Sequence, residues 1–153
     1  MDKIDFMKLA IREGEKSLNN RDVPVGAVIV KDGKIISSAH NQKEKKKSCV
    51  CHAEILAIHK ASKRLRNFRL NDCEIYVTKE PCLMCMGAIL SARIKKIYFG
   101  ANDKRFGTID FAKDNNFNHK CDYEGGLLKD ECERLLSSFF AGLRGENEDI
   151  RKN

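Results

Sequence analysis

Between Lys3 and Leu18, the apolar residues Ile4, Met7, Ala10 and Ile11 fall on one helical stripe, with Lys8, Arg12 and Glu15 mostly elsewhere. This spacing predicts an amphipathic helix that covers a sheet. The period then changes. "VGAVIV" (25–30) and "IISSAH" (35–40) are β-rich runs on either side of "KDGK". An Asp-Gly pair accepts the positive φ angles of a tight hairpin, so two strands are expected around Asp32 and Gly33. "KEKKK" (43–47) reads as a charged loop, and "HAEILAIHKASKRL" (52–65) places Ile55, Leu56, Ile58 and Leu65 at helical spacing. "EIYVT" (74–78) and "KKIYFGA" (95–101) are β-rich and bracket a helix expected over 83–92. A strand, helix, strand unit of this kind predicts a parallel pair joined by a right-handed crossover. Residues 102–119 mix Gly, Asn, Asp and Phe without a period and read as one long loop, a length more often functional than idle. "LLKDECERLLSSFFAGL" (127–143) predicts a terminal amphipathic helix, and about 145–153 a frayed tail.

The chain has 153 residues and shows no internal repeat, low-complexity tract or linker, so a single domain spanning 1–153 is expected. "MDKIDFMKLA" alternates charged with apolar residues, which offers neither a signal peptide nor a membrane span. Seven cysteines form an odd number without the dense spacing of a disulfide scaffold. Reduced thiols or metal ligands, and a cytoplasmic location, follow as the better reading. The formal charge of +7 suits a polyanionic partner such as RNA, and equally suits a basic solvated surface with no partner.

The cysteines of "KEPCLMC" sharpen the picture. Cys82 and Cys85 fall where a helix should begin after a strand, and unpaired amides at a helix start favour thiolate over thiol. The spacing alone fits either a redox couple or half a metal site. "HAE" (52–54) lies about thirty residues upstream. His52 offers a neutral imidazole, whereas Glu54, two residues on, does not easily reach the same metal. Two thiolates and one imidazole leave a tetrahedral zinc with an open position, the mark of a catalytic site. Zinc acidifies water, and a nearby carboxylate such as Glu54 can carry its proton. Otherwise His52 and Glu54 are an ordinary helix start, and the cysteines are buried apolar residues.

"HAE" followed by "PCLMC" resembles the signature of the zinc deaminases. "VPVGAVIV", "HAEILAI", "YVTKEPCLMCMGAILSARIKKIYFGA" and "EGGLLKDEC" together resemble the bacterial tRNA-specific adenosine deaminase family over about residues 5–144. The resemblance implies a three-layer α/β/α cytidine deaminase-like fold around a mixed sheet of about five strands. It implies hydrolytic conversion of the wobble adenosine of an anticodon to inosine by a zinc-activated water. One zinc per chain would be held by His52, Cys82 and Cys85, with Glu54 as the proton shuttle. Asn41 and the Ala53 amide would contact the target nucleoside, Asp103 a neighbouring ribose, and Lys104, Arg105 and Arg144 phosphates. The implied partners are a tRNA anticodon stem–loop and a second copy of the chain.

Alternatives stay open at several of these positions. Asn41 and Asp103 are also good turn residues, and Lys104, Arg105 and Arg144 suit a solvated face. Phe139 and Phe140 fit a core as well as a stacking surface. Cys49 and Cys51 depart from the family pattern, and Cys51 as a fourth ligand would close the site. Two other functions share much of this pattern: a deaminase of a free base or nucleoside, and a non-catalytic zinc-stabilised RNA-binding module, which has no need of Glu54.

Overall fold

The run Gly26–Lys31 forms β1, which is buried on both faces because its side chains alternate: Ala27 and Ile29 enter one apolar cluster, Val28 and Val30 the other. A strand buried in this way belongs in the middle of a sheet. β2 (Lys34–His40) and β3 (Cys73–Lys79) flank it, followed by β4 (Lys96–Ala101) and β5 (Asp122–Glu124), in the order β2-β1-β3-β4-β5. β1 is antiparallel to both neighbours, and β3, β4 and β5 are mutually parallel. The computed structural model describes residues 1–152 except Asn115 and Asn118, with 147–152 as backbone only.

Helices cover both faces. α1 (Lys3–Glu15) and α6 (Lys129–Lys152) pack with Tyr76 and Tyr98 on one side. α3 (Ala53–Leu65) and α4 (Leu83–Ser91) pack on the other around Ile75, Val77 and Ile97. The result is the expected three-layer α/β/α architecture with a mixed five-stranded sheet. Two short α-helices, α2 (Lys43–Lys46) and α5 (Ile109–Asp114), and a 3-10 turn over Lys16–Asn20 complete it. Among the described residues no helix is long and apolar enough to cross a membrane.

Local chemistry explains most boundaries. Asp2 and Asp5 form a reciprocal capping box at the start of α1, each side chain accepting from the other's amide at 3.0 Å. The turn between β1 and β2 places Asp32 at φ 50° and Gly33 at φ 75°, the two positive angles of a type I′ hairpin.

The observed structure departs from the sequence reading in five places. In α1 the buried stripe is Phe6, Met7, Ala10 and Gly14, while Ile4 is exposed, because small residues face the start of β1. In α3 the sheet-facing residues are Ala53, Ala57 and Ala61, with Leu56, Ile58 and Leu65 only partly buried at the margin. The 43–47 segment, expected as a loop, contains α2, and the 102–119 loop contains α5. Within that loop Asn115 and Asn118 lie outside the described residues. The segment from about 145, expected as a tail, is drawn into α6 as far as Lys152, and Asn153 lies outside the described residues.

The backbones of α1 and β1 approach each other closely at Gly26. A Cβ added to Gly26 would overlap the carbonyl oxygen of Ala10 and the amide nitrogen of Gly14, both backbone atoms that cannot swing aside. Gly26→Ala is therefore expected to cost about 3 kcal/mol, the upper range for overpacking, and to lower the melting temperature by about 10 °C. A variant melting within a degree or two of wild type in calorimetry would show that α1 can lift without penalty.

Candidate metal centre and its pocket

Because β1 is antiparallel to both neighbours and β3 is parallel to β4, the strands β2, β3 and β4 all point the same way. Their C-terminal ends lie along one edge of the sheet, and the segment leaving each end brings side chains to a single cleft. After β2 come Asn41, α2 and His52. After β3 come Glu80 and Cys82, and after β4 come Asp103 and Phe106. The cleft measures about 570 Å³, with Phe139, Phe140 and Leu143 of α6 as a further wall.

His52 and Cys82 are the N-cap residues of α3 and α4, both in extended backbone conformation, and Cys85 sits one turn into α4. Neither helix start carries a side-chain cap hydrogen bond. The two side chains turn instead towards each other. The His52 Nδ1 lies 3.5 Å from the Cys85 Sγ and 3.7 Å from the Cys82 Sγ, and all three potential ligand atoms fall within 4.8 Å of one another. Tetrahedral zinc, with Zn–N near 2.05 Å and Zn–S near 2.3 Å, requires an N···S edge of about 3.6 Å. The donor set therefore fits zinc in both chemistry and spacing. Among the described residues the converging group contains no fourth member. Cys51 stands outside it, which removes the closed four-ligand arrangement.

Electrostatics favour the ligand form at Cys82 alone, whereas Cys85 and His52 are held towards their protonated forms, so metal binding there must displace protons. The Cys85 thiol and the His52 ring both donate to the Cys82 sulfur, which holds the Cys82 thiol down to about 3. The same interaction with Cys82, followed by burial, pushes the Cys85 thiol up, and the His52 ring is pushed up by its bond to Cys82. The Glu54 carboxyl is pushed up chiefly by burial, since the side chain is only 4% exposed. Glu54 lines the cleft beside His52 and Cys82 but is not one of the converging ligand atoms.

The remaining expected site residues fall into two groups. Asn41, Ala53 and Asp103 line the cleft, whereas Arg105 and Arg144 are exposed outside it. Asn41 is mostly buried. Its Nδ2 donates to the Val23 carbonyl at 3.1 Å, and its Oδ1 accepts from the Lys43 amide at 3.2 Å. The Asp103 Oδ1 accepts from the Arg105 and Phe106 amides at 2.9 and 3.0 Å, and its Oδ2 pairs with Lys79 at 3.0 Å. Although burial opposes it, the Phe106 amide and the Lys79 ammonium hold the Asp103 carboxyl below the usual range. Both residues thus shape their loops as well as face the cleft. Phe139 and Phe140 meet edge to face at 5.3 Å on the cleft wall and not in either core cluster.

Sequence reasoning passed over Asp22 and Glu80. The Glu80 Oε1 accepts from the Asp103 amide at 3.2 Å and its Oε2 from the Ile109 amide at 3.1 Å, so it braces both ends of the loop after β4. The acidic residue directly before "PC" was the only local signal.

A family model described as "Cytidine and deoxycytidylate deaminase zinc-binding region" matches residues 1–101. A tRNA-specific adenosine deaminase of Bacillus subtilis is 41% identical over 152 residues, covering 97% of this chain and 94% of the relative. Among solved structures, one from a study of A-to-I editing by deaminases acting at the wobble position of transfer RNA superposes with a TM-score of 0.84 at 36% identity, covering 88% of this chain and 100% of the other. A guanine deaminase of Bacillus subtilis superposes with a TM-score of 0.66 at 34% identity, covering 81% and 85%.

The geometry sets an expectation for metal content. Elemental analysis should find about one zinc per chain in the wild type and in Cys51→Ala, and severe loss in Cys82→Ala. Full zinc retention by Cys82→Ala would overturn the ligand assignment.

Proposed function

The chain belongs to the cytidine and deoxycytidylate deaminase family, and from that premise we propose that it acts as a tRNA-specific adenosine deaminase, exchanging the 6-amino group of a wobble adenosine for oxygen. The observation that carries this reading is the whole-chain similarity to tRNA-specific adenosine deaminases. The reaction consumes water and releases ammonia.

Zinc held by His52, Cys82 and Cys85 would lower the pKa of a water and so supply the nucleophile near neutral pH. The chain's own residues do the rest. Glu54, buried beside the ligands and open only to the cleft, takes a proton from the water and delivers it to N1 of the base, then takes the proton of the hydroxyl newly bonded to C6 and gives it to the amine as the C–N bond breaks. Asn41 and the Ala53 amide orient the nucleoside, the latter drawn from the first turn of α3, where amides lack helical acceptors. A carboxylate has about four acceptor sites, so the Asp103 Oδ2 retains capacity for a ribose hydroxyl beside Lys79. Phe106, Phe139 and Phe140 offer stacking surface to unpaired loop bases, while Arg105 and Arg144 reach flanking phosphates. A partner that is transfer RNA, together with seven unbridged cysteines, makes the cytoplasm the compartment of this reading.

Assembly belongs to the same reading. α4 exposes Leu83, at 60%, together with Gly87 and Ser91, and Val50 is exposed at 48%. We assign this apolar strip to a homodimer contact beside the metal centre. Light scattering at micromolar concentration should give about twice the chain mass, and a clean monomer would remove the interface from the mechanism.

The likeness to a guanine deaminase supports a second reading, deamination of a free base on the same metal floor. One experiment separates them. An anticodon stem–loop with a wobble adenosine should be converted to inosine far more efficiently than free adenosine, cytosine or guanine, and Glu54→Gln should lose well over a hundredfold in turnover while keeping its zinc. Faster turnover of a free base would decide for the second reading. Glu54→Gln activity within tenfold of wild type would assign the proton to another group.

A further inference from the structure

The lysine-rich turn after β2 is fixed by a carboxylate from twenty-two residues upstream. Asp22 is 1% exposed, and its Oδ1 and Oδ2 accept from the Glu44 and Lys45 amides at 2.6 and 3.2 Å. These are first-turn amides of α2, whose own N-cap residue, Gln42, makes no side-chain cap bond. Two further bonds tie the turn to the metal site. The Lys43 amide donates to Asn41 Oδ1 at 3.2 Å, and the Gln42 amide donates at 3.0 Å to the carbonyl of Cys51, which precedes His52.

Stability of the fold does not account for this construction. A helix of four residues has no stability of its own, and α2 contributes no buried residue. A carboxylate removed from water is costly unless its oxygens find donors, and here those donors belong to an exposed turn. What the turn presents is charge. Lys43, Lys45, Lys46 and Lys47 are all exposed, and Lys43 and Glu44 line the cleft. Among the described residues none of these lysines has a carboxylate within ion-pair distance. A merely solvated basic face needs no fixed geometry, whereas a rim that must meet a polyanion beside the reacting base does.

We propose that the 43–47 turn is a docking surface for the RNA phosphates that flank the target nucleotide, and that Asp22 is the positioning residue that sets its height above the cleft. The inference rests on the substrate reading above and adds the place where the backbone of that substrate is held. Lys104 and Arg105 are exposed on the loop after β4, across the cleft from the turn, so the strand carrying the flipped base runs between two basic rims.

The test measures stem–loop affinity against salt, together with KM and kcat, for the zinc-loaded full chain. Each phosphate contact to a single strand contributes about 0.7 to the slope of log affinity against log salt. The triple variant Lys45→Ser, Lys46→Ser, Lys47→Ser should lower the slope by about 2 and raise Kd about tenfold or more. A control of equal charge loss on other surfaces, Lys8→Ser, Lys63→Ser, Lys95→Ser, should leave the slope near that of wild type. Asp22→Asn keeps every lysine but weakens the anchor. It should raise KM more than it lowers kcat and speed amide hydrogen exchange in residues 43–47. If the turn variant keeps wild-type affinity and slope, or the control loses as much, the docking surface is wrong. Wild-type KM in Asp22→Asn would leave Asp22 without a positioning role. A wild type that neither binds nor deaminates the stem–loop would overturn the substrate reading, and this inference with it, whereas an active wild type with an unaffected turn variant overturns this inference alone.

Discussion

The N-termini of α3 and α4 meet at one edge of the sheet because β2 and β3 run in the same direction although β1 lies between them. Two strand spacings separate β2 from β3, about 10 Å, which is also about the distance between packed helix axes. The two helices that follow these strands lie side by side on one face, and Ala53 and Met86 belong to the same apolar cluster. Their first residues therefore confront each other across a gap that an imidazole and a thiol can span. Both helix dipoles direct positive charge at that point, which favours thiolates. The metal centre follows from strand direction and helix packing before any side chain is chosen.

This origin explains which features were legible in the sequence. Two of the three candidate ligands, His52 and Cys82, occupy cap positions, and caps are local: a strand followed by "PC" and a polar run followed by "HAE" each mark a helix start without knowledge of the other. The Asp32 and Gly33 turn is legible for the same reason, since its two positive φ angles depend only on the residues that adopt them. β5 left no such trace. It spans three residues, and Asp122 and Tyr123 are exposed, so no alternation of apolar and polar positions marks it. The buried face of α1 was placed in part, since Met7 and Ala10 are buried as expected, but Gly14 there and Ala57 and Ala61 in α3 were passed over because a hydrophobic pattern weights large residues whereas the sheet also takes small ones. Close approach of the backbones, seen most sharply at Gly26, is a property of the pair of elements and is not written in either one.

The walls of the cleft were the least legible part. They are built from loops whose apolar content is low, and what holds them is a set of side-chain carboxylates and one amide bonded to backbone groups: Asp22 to α2, Glu80 to both ends of the loop after β4, Asp103 within that loop, and Asn41 between Val23 and Lys43. Most of these bonds join segments more than fifteen residues apart, so no sequence window contains both partners. Loops that carry binding residues need such braces, because without apolar burial only hydrogen bonds oppose their conformational entropy.

Floor and walls therefore answer to different constraints. The floor must bring three ligand atoms and one carboxylate to fixed spacings, and α3, α4 and the sheet behind them leave it little freedom: Ala53, Ala57 and Cys85 are fully buried, and Glu54 nearly so. That geometry suits attack on an amidine-like carbon of any exposed base, so it does not by itself select a substrate. Selection falls to the walls, where Phe106, Phe139 and Phe140 offer flat apolar surface and Lys43 and Lys79 offer charge. A free base can occupy the floor while touching little of these walls. On the proposed reading, a nucleotide within a strand passes between them, with its neighbours against the aromatic rings and its backbone against the lysines. A rigid floor with separately braced walls lets one metal chemistry be directed at a polymer, because loops can be re-anchored without moving the helices that hold the metal.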